Sequence, residues 1–213
     1  MIRAVFASCL CLAMAACAEA RVDSCRASAD AMLEMSFDAF DQGAGGWRSL
    51  DNSLACSDYA DDVLAEYRSR HGSALGPANT SLIIWHQAQV VATQGDTARS
   101  LELMQSAAYP GEPRWQQLYR DGSIAFLEGD LARLQAARGQ LSRLPRDPGL
   151  IVPDGSDVVW PPNLDVLDGL ISCFGKPYSV AYVCRQPPAP APAVTSRVPA
   201  VGDVPSRPIA DIQ

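Results

Sequence analysis

Apolar residues recur along this chain at spacings of three to four, and no segment alternates with period two for long enough to make a strand. Ala29, Met32, Leu33, Met35, Phe37 and Phe40 predict a helix over residues 23–41. Gly43, Gly45 and Gly46 then break the chain, and Trp47, Leu50 and Leu54 predict a second, short helix. Ser57-Asp58 is placed to cap a third helix, which carries Tyr59, Val63, Leu64 and Tyr67 and ends near Gly72. Residues 72–80 read as a loop. Asn79-Thr80-Ser81 has the form of a glycosylation sequon and reads as a helix N-cap.

The pattern then becomes regular. Helix 81–94 holds Leu82, Ile84, Trp85, Ala88 and Val91, Gly95-Asp96 turns the chain, and helix 97–108 holds Leu101, Met104 and Ala107. Pro110 and Pro113 separate this pair from the next. Helix 114–128 carries Leu118, Tyr119, Gly122, Ala125 and Phe126; Gly129-Asp130 turns again; helix 131–144 carries Leu131, Leu134, Ala137 and Leu141. A long loop over 145–162 leads to Asn163, read as the cap of a helix running to Phe174. Gly175 stops that helix, and Pro177 opens a last short one that reaches Cys184. The chain reads as all-α.

Two turns share a signature 34 residues apart: Gly95-Asp96-Thr97-Ala98-Arg99 and Gly129-Asp130-Leu131-Ala132-Arg133. With a helix before and after each, this spacing resembles the tetratricopeptide-repeat family. The resemblance implies stacked antiparallel helical hairpins, about two to three repeats, closed by a C-terminal helical cap. In that family a small residue on the first helix lets the second pack closely. Ala88 and Ser100 take the small positions of the first hairpin, and Gly122 matches the glycine of the second. Leu134 stands where a small residue is usual and Arg138 where an apolar one is, so the second hairpin departs from the pattern. The resemblance also implies a concave face, built by the first helices, that binds peptides or proteins. Carried onto this chain, the expected contact residues are Trp85 and Gln89 on one hairpin, then Tyr119 and Ser123 on the next. Trp85 and Tyr119 hold equivalent places and are expected either to anchor a ligand or to fill the core.

The two ends differ from the middle. Residues 1–20 read as a signal peptide with an apolar run from Ala4 to Ala16, too short to span a bilayer as a stable anchor. Two cleavage readings stand. Ala18-Glu19-Ala20 is an A-x-A site that leaves Arg21 as the first residue. Met14-Ala15-Ala16-Cys17 resembles a bacterial lipobox, with Met14 where Leu is usual, and makes Cys17 the lipidation site. The lipobox resemblance, with neutral Ala18 after the cysteine, implies an outer-membrane lipoprotein; the other reading implies a soluble periplasmic one. Residues 186–213 contain seven prolines and read as a disordered Pro/Ala-rich tail. Residues 21–185 are left as one helical-hairpin domain, long enough for a core of its own.

Cysteine usage narrows the compartment further. Outside the leader and Cys17 remain Cys25, Cys56, Cys173 and Cys184, an even number in an exported chain. Three pairings are open. Helix ends that lie side by side in a hairpin favour Cys25–Cys56 with Cys173–Cys184. A zinc site is the competitor, but there is no C-x-x-C and the only histidines are His71 and His86.

Charge and motifs exclude more than they select. The net charge is −7, Lys176 is the only lysine and there is no basic run, which disfavours nucleic acid. No phosphate loop or dinucleotide fingerprint is present, and Ser73 lacks the spacing of a nucleophile elbow. His86 is the one candidate base. Asp165 and Asp168 share a helix face but suit the first turn of a helix, and Glu128 and Asp130 flank a turn. Sequence alone therefore predicts a non-enzymatic cell-envelope protein with no cofactor and no metal. It binds a protein or peptide and meets the membrane only through a lipid anchor. The alternatives are a periplasmic enzyme acting on cell-wall material and a purely structural lipoprotein.

Overall fold

The structure is a computed structural model that describes residues 24–53, 56–146 and 159–184. The expected leader, Cys17 and the Pro/Ala-rich tail lie outside those residues. Among the described residues every regular element is a helix. They are α1 (24–32), α2 (Phe37–Asp41), α3 (Arg48–Asp51), α4 (Asp58–Gln94), α5 (Thr97–Ser106), α6 (Arg114–Leu127), α7 (Leu131–Leu141), α8 (Leu164–Ser172) and α9 (Tyr178–Ala181). None of them is long and apolar enough to cross a membrane.

Two sequence expectations fail in the first half. The helix expected over 23–41 is two helices, because Ser36 leaves helical geometry and its hydroxyl accepts from Ala39 N at the start of α2. The loop expected over 72–80 is helical on both sides of one residue. Gly76 (φ 69°, ψ 168°) breaks the path, and Pro77 opens the second half of α4. Asn79, Thr80 and Ser81 therefore lie inside a helix and cap nothing; the Ser81 hydroxyl donates to Ala107 O instead. Ser57 and Asn163 also make no side-chain cap bond, and Asn163 sits at φ 61°.

The two Gly-Asp turns are built alike. Gly95 and Gly129 end their helices at φ 93° and 76°, a conformation that favours glycine. The carboxylates of Asp96 and Asp130 then cap the next helix, accepting from Arg99 N at 3.1 Å and Arg133 N at 2.9 Å. At the expected close approach in the first pair, Ser100 is buried and its hydroxyl donates to Ala88 O at 2.8 Å. The two departures in the second pair have a physical reason. Gly122 lacks the Cβ that would press on Leu167 and Leu134, so buried Leu134 fits at a place usually held by a small residue. Arg138 reaches α8, where Nε and Nη2 donate to Asp168 at 2.7 and 3.0 Å.

Two apolar clusters share one wall. The first joins α1, α2 and α3 to α4 through Met32, Phe40, Leu50, Leu64 and Tyr67, with Phe40 and Tyr67 stacked at 3.7 Å. The second joins α4 to α5–α9 through Met104, Leu134, Leu141, Leu167 and Leu170. Residues 77–94 serve both: Ile83 and Val90 face the first cluster, Trp85 and Ala88 the second. That explains an apolar content spread around the helix rather than gathered on one stripe.

Both favoured cysteine pairs are bonded: Cys25–Cys56, with Cα atoms 5.4 Å apart, and Cys173–Cys184, 6.2 Å apart. Two disulfides are consistent with an exported chain in an oxidising compartment. The loop between α2 and α3 is close-packed. A Cβ on Gly46 would fall 2.0 Å from Phe40 O and 2.8 Å from Ala39 O, both backbone atoms that cannot swing away. Gly46→Ala is therefore expected to lower the unfolding free energy by about 1–3 kcal/mol, read as a lower urea midpoint with an unchanged slope.

Candidate functional site

A cleft opens beside the second half of α4, between α3, α6 and the C-terminal segment. It has two adjoining lobes of about 260 and 370 Å³ that share Arg48, His86, Gln89 and Tyr182. Trp85, Trp115 and Tyr119 wall the first lobe; Trp47, Asp51 and Tyr178 wall the second.

Three of the four expected contact residues meet here. Trp85 and Tyr119 are both buried and touch edge to face, with ring centroids 5.2 Å apart. Half-buried Gln89 lies one turn on from Trp85 and its Nε2 donates to the Tyr119 hydroxyl at 3.1 Å. The aromatic pair thus belongs to the core and lines the cleft at once. Ser123 does not join them: it is fully buried, and its hydroxyl donates back to Tyr119 O at 3.0 Å.

The polar end of the cleft is organised by Asp41. This carboxylate is 1% exposed. Oδ1 accepts from His86 Nδ1 at 2.7 Å and from Trp47 Nε1 at 3.2 Å, and Oδ2 accepts from Gln42 Nε2. Burial alone would push its pKa up. The hydrogen bonds from His86 and Trp47 and the positive charge of Arg48 outweigh it and hold the carboxyl below the usual range. Arg48 lies across the group. Nη1 donates to Asp41 O, Nη2 lies 3.3 Å from His86 Nε2, and the guanidinium sits 4.4 Å from the centre of the Trp47 ring.

These contacts fix the state of the imidazole. Asp41 can only accept, so His86 Nδ1 carries the proton. Arg48 can only donate, so Nε2 presents its lone pair. His86 thus uses both nitrogens. Its surroundings are polar, although it is only 9% exposed.

A second charged pair stands across the first lobe, where Arg120 Nη1 donates to the buried Glu112 carboxylate. Among the described residues, one buried donor along the walls, Trp115 Nε1, has no hydrogen-bond partner. Burial, with the neighbouring Tyr182, pushes the Tyr178 phenol far up, so it stays a neutral donor.

The other candidates fall outside the cleft. Asp168 is committed to Arg138, and Asp165 is exposed in the first turn of α8. Glu128 pairs with Arg133 beside the second turn. Ser73 lies in the first half of α4, away from His86. Among the described residues no cluster of three or more His, Cys, Asp or Glu is arranged to hold a metal.

Sequence reasoning missed Asp41, Arg48, Trp115 and Tyr182. Trp115 was accessible, since it sits four residues before Tyr119 on the same helix. Asp41 and Arg48 had no such signal: one closes an apolar run and the other follows a tryptophan, far from His86 in sequence. Compared with known proteins, the chain matches no family model, no curated sequence and no solved structure.

Proposed function

We propose that this chain is a non-enzymatic binding module of the cell envelope that takes a peptide or protein segment in the cleft walled by Trp85 and Tyr119. The observation that carries the reading is the combination of aromatic walls and a half-exposed arginine in one concave place. Aromatic and Arg side chains supply most of the affinity at protein interfaces. The Gly-Asp hairpins, with Ala88, Ser100 and Gly122 at their close approaches, support reading the fold as two to three tetratricopeptide-like repeats. The disulfides support export to a periplasm, as a soluble protein or as an outer-membrane lipoprotein anchored through Cys17.

An enzymatic reading has one observation in its favour, the Asp41–His86 pair, which orients an imidazole as catalytic pairs do. Against it, among the described residues the hydrogen-bond partners of the His86 ring are Asp41 and Arg48, and neither is a hydroxyl or thiol nucleophile. The pair is better suited to positioning Arg48 than to proton abstraction.

The test fills the cleft while keeping Trp85 and Tyr119, and it removes the hydrogen bond from Gln89 to the Tyr119 hydroxyl. Gln89→Trp places a large ring where the two lobes meet. Peptides captured from a defined synthetic array by the wild-type protein are expected to lose at least tenfold in affinity, with the helical circular dichroism retained. Equal capture by a folded Gln89→Trp protein would show that binding occurs elsewhere.

A further inference from the structure

We propose that the cleft recognises a carboxylate, held by Arg48, and that His86 gates this recognition by taking up a proton. The proposal rests on the binding reading above and names the chemistry the site selects. It begins from how Arg48 is held. Stacking on Trp47 and the bond to Asp41 O fix the guanidinium plane without using all of its five N–H groups. Its side chain is 40% exposed and faces both lobes. A planar, oriented fork of donors at the edge of an aromatic pocket suits a carboxylate.

Charge explains why a gate is needed. Asp41 lies 3.8 Å from Arg48 Nη1 and balances it, while Glu112 balances Arg120. With neutral His86 the cleft end carries no excess positive charge, and the Nε2 lone pair occupies one of the Arg48 donors. Protonation changes both conditions. Nε2 becomes a donor, can no longer accept from Arg48, and places a second cation beside the guanidinium. Two sets of N–H groups then converge on the same space, and an anion bridging them is the natural acceptor. By linkage the anion must in turn favour the imidazolium.

The neighbours of His86 bear on that response. On α2 and α3 these are Asp41, Arg48 and Asp51. Asp41 stays ionised, as described. Asp51 has its pKa raised by burial, only partly offset by Arg48. It also loses charge on acidification and pushes in the same direction, so it must be separated from His86 by experiment. From α6 and the C-terminal segment come Tyr119, Tyr178 and Tyr182. Burial raises the first two phenols, which keeps them neutral in acid. Imidazole is the side chain whose charge ordinarily changes between pH 5 and 8.

The experiment uses the full exported chain and three probes: acetyl-Ala-Ala-Phe as the free acid, the same peptide as its C-terminal amide, and acetyl-Ala-Glu-Phe amide. Binding is followed by tryptophan fluorescence at pH 7.5 and 5.5. The free acid is expected to bind at least tenfold more tightly than its amide at pH 5.5, and at least fivefold more tightly than at pH 7.5. Arg48→Met is expected to abolish the acid–amide difference. His86→Gln is expected to abolish the pH response, whereas Asp51→Asn keeps it. Tighter binding of the Glu peptide than of the free acid assigns the carboxylate to a side chain; the reverse assigns it to a chain end. Equal, pH-independent binding of acid and amide overturns the carboxylate gate and leaves the peptide-binding cleft standing. Loss of the pH response in Asp51→Asn but not in His86→Gln also overturns it. Failure of all three probes to bind, together with unchanged capture by Gln89→Trp, overturns the cleft itself.

Discussion

Replacing Asp41 with alanine is expected to lower the unfolding free energy by about 3–5 kcal/mol, the usual cost of removing one partner from a buried charged network. The side chain is an acceptor for three groups at once, from α4, the residue before α3 and the residue that follows α2. Its loss leaves Trp47 Nε1 and His86 Nδ1 buried without acceptors, and leaves Arg48 without the charge that offsets it. Asp41→Asn keeps one carbonyl oxygen and nearly the same volume, so it should recover part of the loss. Urea denaturation followed by circular dichroism measures both.

The acid limb gives an independent check on the same residue. The folded pKa of Asp41 lies below its unfolded value. Its stabilisation is therefore complete above the unfolded carboxylate range and is lost as pH falls through the lower folded value. Wild-type protein should lose stability in that acid window more steeply than Asp41→Asn. Parallel acid limbs would show that the native carboxylate carries no extra stability.

Removing Cys25–Cys56 by a double Cys→Ala change is the second large effect. The bond joins residues 31 apart. In the chain-entropy account, losing such a closure costs about 3.7 kcal/mol, against about 2.8 kcal/mol for the 11-residue separation of Cys173–Cys184. Thermal unfolding of the two double variants should rank them in that order. The reverse order would show that native packing, and not loop closure, sets the contribution of each bond.

Helices were legible from apolar spacing because one face of each packs on a shared core. The Gly-Asp turns were legible because a positive-φ glycine followed by a capping aspartate is local chemistry. The Trp85–Tyr119 contact could be read from equivalent places in two hairpins. The continuation of α4 could not. A glycine next to a proline is a common helix end, and the path does break at Gly76, but helix resumes at Pro77, where apolar spacing gives no sign of it. The burial of Ser123 could not be read either, because periodicity gives a face but not whether a hydroxyl turns back on its own helix. The polar end of the cleft was illegible for a different reason: it joins single residues from α2, α3 and α4 and has no periodic signature.

The cleft ends are built by the weakest elements of the molecule. α2 and α3 have five and four residues, and α9 has four. None is long enough to persist as a helix alone. Yet Asp41 and Arg48 lie inside the chain loop closed by Cys25–Cys56, and Tyr178 and Tyr182 inside the one closed by Cys173–Cys184. Each jaw of the cleft is thus sewn by sulfur onto a frame of longer helices. In a reducing compartment the frame would keep its own packing while the jaws lost their stitches. The shape of the cleft is thereby tied to an oxidising compartment.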